Sequence, residues 1–527
     1  MSLLGLRAAL GMQWRTHRRG IVVSVVVLSV MMVGTAGSVA ALYSTPEQIQ
    51  GYAEAVTAGD ALVVINGRID GIDSLGGVIA DEFGFLAAFL LPLLGISLVA
   101  RATRAEEEAG RLELVLAGSV AREVPVVAGL LVATAAIVVT TIAFALGLSV
   151  VGVPAARSLL YAASLGALAF VFAGLAAFLA QVSLHTRGVY LWGLLVLAAS
   201  YVLRGVGDVT NTWVTWLSPL GWAEQAAPFG AMRWWALVIP LAAGSVLAAL
   251  AVAVAARRDL GSALLRGGVG PAGASRWLRS PLGLAMAIHR PGFLGWLAGA
   301  VIVAGLMGGL ARQFIDAVLA NPAMAEALGV TAGRPVDAVV AITQLYVAII
   351  VTACAVQAIG SLRSEETAGR LEVRLSGTLS RSRWLLAHAV VIGAGLLGIV
   401  LVAAAVLAAG IAWSTGAAAD LAGIVAAGLA YLPAELLVAG LALALFGLWP
   451  RALPAAWAVV AFVTFIALLG PGLRLPAWLL DLAPTTHVGR PPLGTVGEFQ
   501  LTVLGALAAI LVVSAAVGFR RRAVPQH

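Results

Sequence analysis

Residues 104–122 read RAEEEAGRLELVLAGSVAR, and residues 363–381 read RSEETAGRLEVRLSGTLSR. Eleven of the nineteen positions are identical. Each copy is charged, and each lies between long apolar runs. The chain therefore repeats a layout as well as a string, and the fold follows from what surrounds the two patches.

The 527 residues are 61% hydrophobic and 11% charged. A soluble fold cannot hide that much apolar surface, so the composition predicts an all-α polytopic membrane protein. Runs of about twenty apolar residues mark spans. Twelve are expected, near 21–42, 82–100, 125–150, 158–182, 188–205, 234–256, 294–315, 337–360, 386–413, 420–447, 454–472 and 498–519. The first run lacks a small-residue cleavage site and reads as a retained helix, not a signal peptide.

All 32 basic residues are arginine. With twelve spans and both termini inside, 24 arginines fall on the cytoplasmic side and eight elsewhere, which sets the orientation by the positive-inside rule. Arg15, Arg18 and Arg19 precede the first span, and Arg520, Arg521 and Arg522 follow the last. This bias accounts for the net charge of +7 without nucleic-acid binding. An arginine-only basic set rich in alanine, glycine and valine fits a GC-rich bacterial genome, so the expected location is the bacterial cytoplasmic membrane. Cys354 is the single cysteine; it permits no intrachain disulfide and reads as a small buried apolar residue.

Three regions are expected: a first six-helix half (1–256), a cytoplasmic linker with a second amphipathic segment (257–292), and a second six-helix half (293–527). SLLGLRAAL at 2–10 recurs as SPLGLAMAI at 280–288, each read as an interfacial amphipathic segment ahead of the first helix of its half. Six spans per half give both halves the same orientation, a parallel repeat. GALAF at 166–170 matches AGLAY at 427–431 in the fourth helix of each half. Arg187 and Arg451 each mark a short loop before the fifth helix. WLSPLGWAEQAAPFG at 216–230 and LDLAPTTHVGRPPLG at 480–494 lie between the fifth and sixth helices on the outside. Each suits either a broken helix dipping into the outer interface or an ordinary loop. The outer segments 43–81 and 316–336 are acidic and too short for a large domain.

Read as a helix, 104–122 pairs Glu107 with Arg111 in the favourable acid-first order, repeated by Glu366 and Arg370. Leu112 and Leu116, repeated by Leu371 and Leu375, form an apolar stripe. Gly110 and Gly369 then sit mid-helix, where glycine costs about 1 kcal/mol relative to alanine, which suggests close approach of another backbone. Gly118 and Gly377 fall where a C-terminal cap is expected. A short charged helix with one apolar stripe can sit in a groove of a soluble partner; the competing reading is a solvated loop retained after duplication.

The pattern E-E-x-x-G-x-x-E-x-L resembles the signature of ABC exporter permeases of the type-2 kind, a type V exporter architecture. In that family it forms the coupling helix between the second and third membrane helices and docks on the ATPase subunit. The resemblance assigns this role to Glu106, Glu107, Gly110, Arg111 and Glu113, and to Glu365, Glu366, Gly369, Arg370 and Glu372. Arg111 and Arg370 stand where many members have threonine, and Val373 stands where the first copy has Leu114. The layout is similar to that of twelve-helix exporters of polyketide and polyether antibiotics such as tetronasin. The resemblance implies two copies of a separate ATPase, with ATP and Mg on that partner and no cofactor on this chain, and a hydrophobic cargo carried outward. It also implies a cargo path between the second and fifth helices, which makes Phe85, Phe89, Trp192, Tyr201, Tyr346 and Phe465 candidates to touch cargo.

Absences are also informative. A Walker A loop needs lysine, and there is none, so an ATPase must be a separate chain. The six histidines (His17, His185, His289, His388, His487, His527) are scattered, with no H-E-x-x-H or G-x-S-x-G pattern, which disfavours a membrane enzyme acting on lipid. Glu435 lies mid-span in AYLPAELLVAG, and its local counterpart in the first half is Gly174. It reads as a cargo anchor, a proton site, or a packing carboxyl beside Pro433. As a proton relay it would suit a proton-coupled secondary transporter, the main alternative. Gln344 and Gln357 are expected to make interhelical hydrogen bonds.

Overall fold

The computed structural model describes residues 5–57, 63, 66–118, 120–265, 273, 275–320, 334–470 and 475–523. Residues 2–4 of the first amphipathic segment, 266–272 and 274 of the linker, most of 58–65, 321–333 of the outer segment, 471–472 of the eleventh expected span, and His527 lie outside them. The described residues are helical and contain no strand. Among the described residues, eleven helices are long and apolar enough to cross a membrane. The chain forms two compact units, Met1–Gly270 and Pro271–His527.

The first unit carries six of the long helices: Leu6–Leu42, Leu75–Ala102, Val124–Val150, Ala155–Val182, Thr186–Thr210 and Val238–Arg257. The second carries Pro281–Gly309, Pro335–Thr367, Arg381–Thr415, Leu421–Leu448 and Glu498–Arg521. Where the span 454–472 is expected stands a shorter apolar helix, Ala455–Leu469. It stops against Gly470-Pro471, where the proline disfavours helical geometry in the residue before it.

Small residues set the helix contacts, as is usual when lipid removes the hydrophobic drive between helices. In the first unit a Cβ on Gly174 would lie 2.5 Å from the Gly244 carbonyl oxygen, so the fourth and sixth helices touch backbone to backbone there. Gly95 meets the Ala169 carbonyl in the same way at 2.5 Å. In the second unit Gly308 and Gly410 face each other between the first and third helices, and Gly447 meets Ala515 between the fourth and sixth. Buried Phe83, Phe144, Tyr161 and Phe172 fill the first core, and Trp384, Phe446 and Phe519 fill the second.

Two expectations change. The amphipathic stretches are not separate segments: Leu6 onward and Pro281 onward run unbroken into the first long helix of each unit. Ser280 caps the second start by accepting from Gly283 N, which leaves no break at which an interfacial segment would part from the span. Arg187 lies in the first turn of Thr186–Thr210, not in a loop, while Arg451 lies in the short 3₁₀ turn Pro450–Ala452.

Each proline-marked segment contains two short helical turns. Trp213–Leu217 and Pro219–Glu224 are joined at Ser218, whose hydroxyl accepts from Leu220 N and donates to the Ser200 carbonyl. The second segment contains Ala477–Leu480 and Pro484–Val488.

Candidate functional site at the duplicated motif

Neither copy of the motif is a single helix. In the first unit the long helix ends at Ala102, Thr103 turns (ψ −88°), Arg104–Glu108 makes one turn, and Arg111–Leu116 follows. In the second, Pro335–Thr367 runs through Glu365 and Glu366, and Arg370–Leu375 follows. The break in both is glycine in the left-handed region, Gly110 at φ +70° and Gly369 at φ +71°. A Cβ at either position meets nothing within 4 Å. The expected close backbone approach is therefore absent, and the residue is required by its φ, which L side chains rarely adopt. Gly118 and Gly377 follow the second short helix but do not take the left-handed cap conformation.

The break re-aims every charge. Arg111 does not pair with Glu107. It grips Glu106 with two parallel bonds, Nε to Oε2 at 2.7 Å and Nη2 to Oε1 at 2.8 Å, the strong forked geometry. The Glu106 carboxylate raises the pKa of Arg111 above its ordinary value. His17 of the first long helix stands 3.3 Å from Glu106. In the second unit Arg370 likewise pairs with Glu365, not Glu366, at 2.8 Å, and Arg374 adds an ion pair at 2.6 Å.

Glu106, Glu365 and Glu366 are buried and Glu107 is half-buried, and the second glutamate of each copy is also turned inward. Glu107 meets Arg104 at 2.9 Å and accepts two bonds from Arg258, at 2.9 and 2.7 Å, and one from Gly261 N at 2.8 Å. Glu366 meets Arg363 at 3.0 Å and Arg522 at 3.0 Å. Arg258 and Arg522, just beyond the sixth helix of each unit, were not found by sequence reading; their distance from the motif hides the pairing.

Leu112 and Leu371 are buried, and Leu116 and Leu375 half-buried, so the predicted apolar stripe faces the protein. The residues turned outward are Leu114 at 80% exposure and Val373 at 75%. They occupy the same place in the two copies, beside exposed Arg111 and Arg370. Glu113 is exposed and Glu372 half-buried.

Of the aromatic residues, Phe85 and Tyr201 are brought together: Tyr201 donates to the Phe85 carbonyl at 2.7 Å and the rings lie 5.5 Å apart. Phe89 and Trp192 are exposed on the same two helices. Tyr346 and Phe465, also exposed, sit on Pro335–Thr367 and Ala455–Leu469. Glu435 is 1% exposed, and neither carboxylate oxygen has a hydrogen-bond partner among the described residues. Gln344 donates to the Ile424 carbonyl and Gln357 accepts from Trp296, the interhelical bonds expected of them. Cys354 is buried. His289 and His388 are not scattered but meet ring to ring, Nε2 to Nδ1 at 2.9 Å. At the Trp213–Glu224 end a polar cavity of about 460 Å³ is lined by Arg68, Asp208, Asn211 and Glu224.

Eleven membrane-length helices among the described residues are those of a polytopic membrane protein, and sequence comparison makes it a permease. The chain belongs to the family described as "Multidrug efflux system permease Rv1217c, C-terminal domain", which it matches over residues 6–255 and 278–520. It is thus an efflux permease of the bacterial membrane, spanning it several times. It is similar to the multidrug efflux system permease protein Rv1217c of Mycobacterium tuberculosis (strain ATCC 25618 / H37Rv), 33% identical over 458 residues, which cover 86% of this chain and 83% of that protein.

Proposed function

We propose that this chain is the membrane subunit of an ATP-driven ABC exporter that moves a hydrophobic or amphipathic drug out of the cell. Two copies of a separate ATPase, holding ATP and Mg, dock on Gly110–Leu116 and Gly369–Leu375. Twelve membrane helices form two parallel six-helix repeats divided at the 257–292 linker, with both termini cytoplasmic. Phe85, Phe89, Trp192, Tyr201, Tyr346, Phe465 and Glu435 contact cargo, which includes polyether or polyketide antibiotics of the tetronasin type.

One observation carries the docking reading. An apolar side chain beside an arginine is turned outward at the same place in both copies, Leu114 with Arg111 and Val373 with Arg370. A single exposed apolar residue needs no explanation; its recurrence beside an arginine in both copies is what supports a partner's pocket there. Copurification of the tagged chain from its host is expected to bring down a lysine-bearing ATPase at two copies per chain. Leu114→Asp with Val373→Asp is expected to abolish that association and leave the chain in the membrane. Unchanged association and efflux in the double variant would refute the docking role.

A second reading rests on Glu435, whose unpartnered buried carboxyl is the feature a proton-coupled transporter needs. Under that reading, collapse of the proton gradient with ATP present stops efflux, while ATP depletion with the gradient held does not. The ATP-driven reading requires the reverse.

A further inference from the structure

The repeat extends to a connection that the sequence leaves unmarked. In each unit the chain emerging from the last long helix turns back and seizes the second motif glutamate with one arginine, Arg258 on Glu107 and Arg522 on Glu366. That arginine also reaches the fourth helix. Arg258 Nε donates to Gln181 at 3.1 Å, and the Arg522 guanidinium lies 5.1 Å from the Phe446 ring and 5.1 Å from Phe519. The last residue of each nineteen-residue string grips the same emerging segment: Arg122 pairs with Asp259 at 3.0 Å, and Arg381 donates to the Arg522 carbonyl at 2.6 Å. The two glutamates are 8% and 1% exposed at the side chain, so these are enclosed pairs, and loss of the latching arginine leaves Glu107 to Arg104 and Glu366 to Arg363.

From this we propose that Arg258 and Arg522 are positioning residues for efflux. Each is a latch that fixes the motif turn to the ends of the fourth and sixth helices, so that displacement of the turn moves those helices together with the second. The proposal rests on the reading that the turn receives force, and it assigns the route by which the force enters each unit. The forked guanidinium suits the task because two parallel bonds fix orientation as well as distance.

The test uses the full chain, in cells and purified in detergent. Trypsin cuts after arginine, and Arg370 and Arg374 lie in the turn itself, so cleavage there reports release of the turn. Arg522→Ala is expected to speed that cleavage several-fold and to lower drug efflux per chain several-fold, with the amount of chain in the membrane unchanged. Arg522→Lys, which keeps the charge and loses the fork, is expected to fall between. Adding Glu366→Ala to Arg522→Ala is expected to deepen neither loss beyond the worse single change, because both variants break the same pair, and Glu107→Ala with Arg258→Ala to behave alike, read by cleavage after Arg111. Native-rate cleavage in Arg522→Ala, or losses that simply add in the double variant, overturns the latch. Faster cleavage with native efflux overturns its positioning role. Should the alanine variant fail to reach the membrane, the lysine variant decides by the same criteria. Efflux that proves independent of ATP while these effects persist refutes the ATPase partnership and leaves the latch standing.

Discussion

Gly110 and Gly369 show how a residue is legible in sequence while its reason is not. Glycine retained in both copies of a charged string stands out, but a helical reading explains it by crowding. The structure gives open space and a left-handed backbone instead. The two explanations predict opposite orders of substitution. If φ decides, alanine costs about 1–2 kcal/mol, and asparagine, which tolerates this conformation, costs less despite its size. Gly369→Ala is therefore expected to loosen the turn more than Gly369→Asn, measured as tryptic cleavage after Arg370. The reverse order would restore crowding as the cause. The pairing errors follow from the same turn: once the helix breaks, the i,i+4 rule that joins Glu107 to Arg111 no longer applies. Arg111 then reaches Glu106 across the bend.

At the scale of elements the long helices were legible because continuous apolar runs of span length have few alternatives. Their ends were not. The expected second span begins at 82, whereas the helix starts at Leu75, capped by Ser74 accepting from Gly77 N. The interfacial segments merged into the spans because nothing in SPLGLAMAI breaks a helix once Ser280 has capped it. Helix packing was also hidden, since alanine and glycine are abundant throughout and only a few of them lie at crossings. Gly410 is one: a Cβ there would come within 2.9 Å of Gly308 atoms. Gly410→Leu is expected to force apart the first and third helices of the second unit and to cut the amount of folded chain recovered from membranes. Gly393→Leu, at a position where a Cβ meets nothing within 4 Å, is expected to be tolerated. Equal yields of the two variants would count against backbone contact as the organising feature of that crossing.

For the whole molecule the duplication makes a prediction that neither unit makes alone. If each unit docks one ATPase through its turn, as proposed, Leu114→Asp or Val373→Asp singly is expected to halve the ATPase recovered with the chain, and the two together to remove it. Complete loss in either single variant would mean that the two partner copies bind only as a pair. The copies are nevertheless mounted differently. In the second unit the turn hangs from the end of an unbroken helix, Pro335–Thr367, while in the first the helix yields at Thr103 before the motif begins. One lever is a stiff rod and the other has a knuckle near its tip. If the proposed partners push equally on the two tips, the push arrives undiminished through the rod and partly spent in bending the knuckle, so one stroke of a symmetric engine would deliver lopsided work to the body it drives.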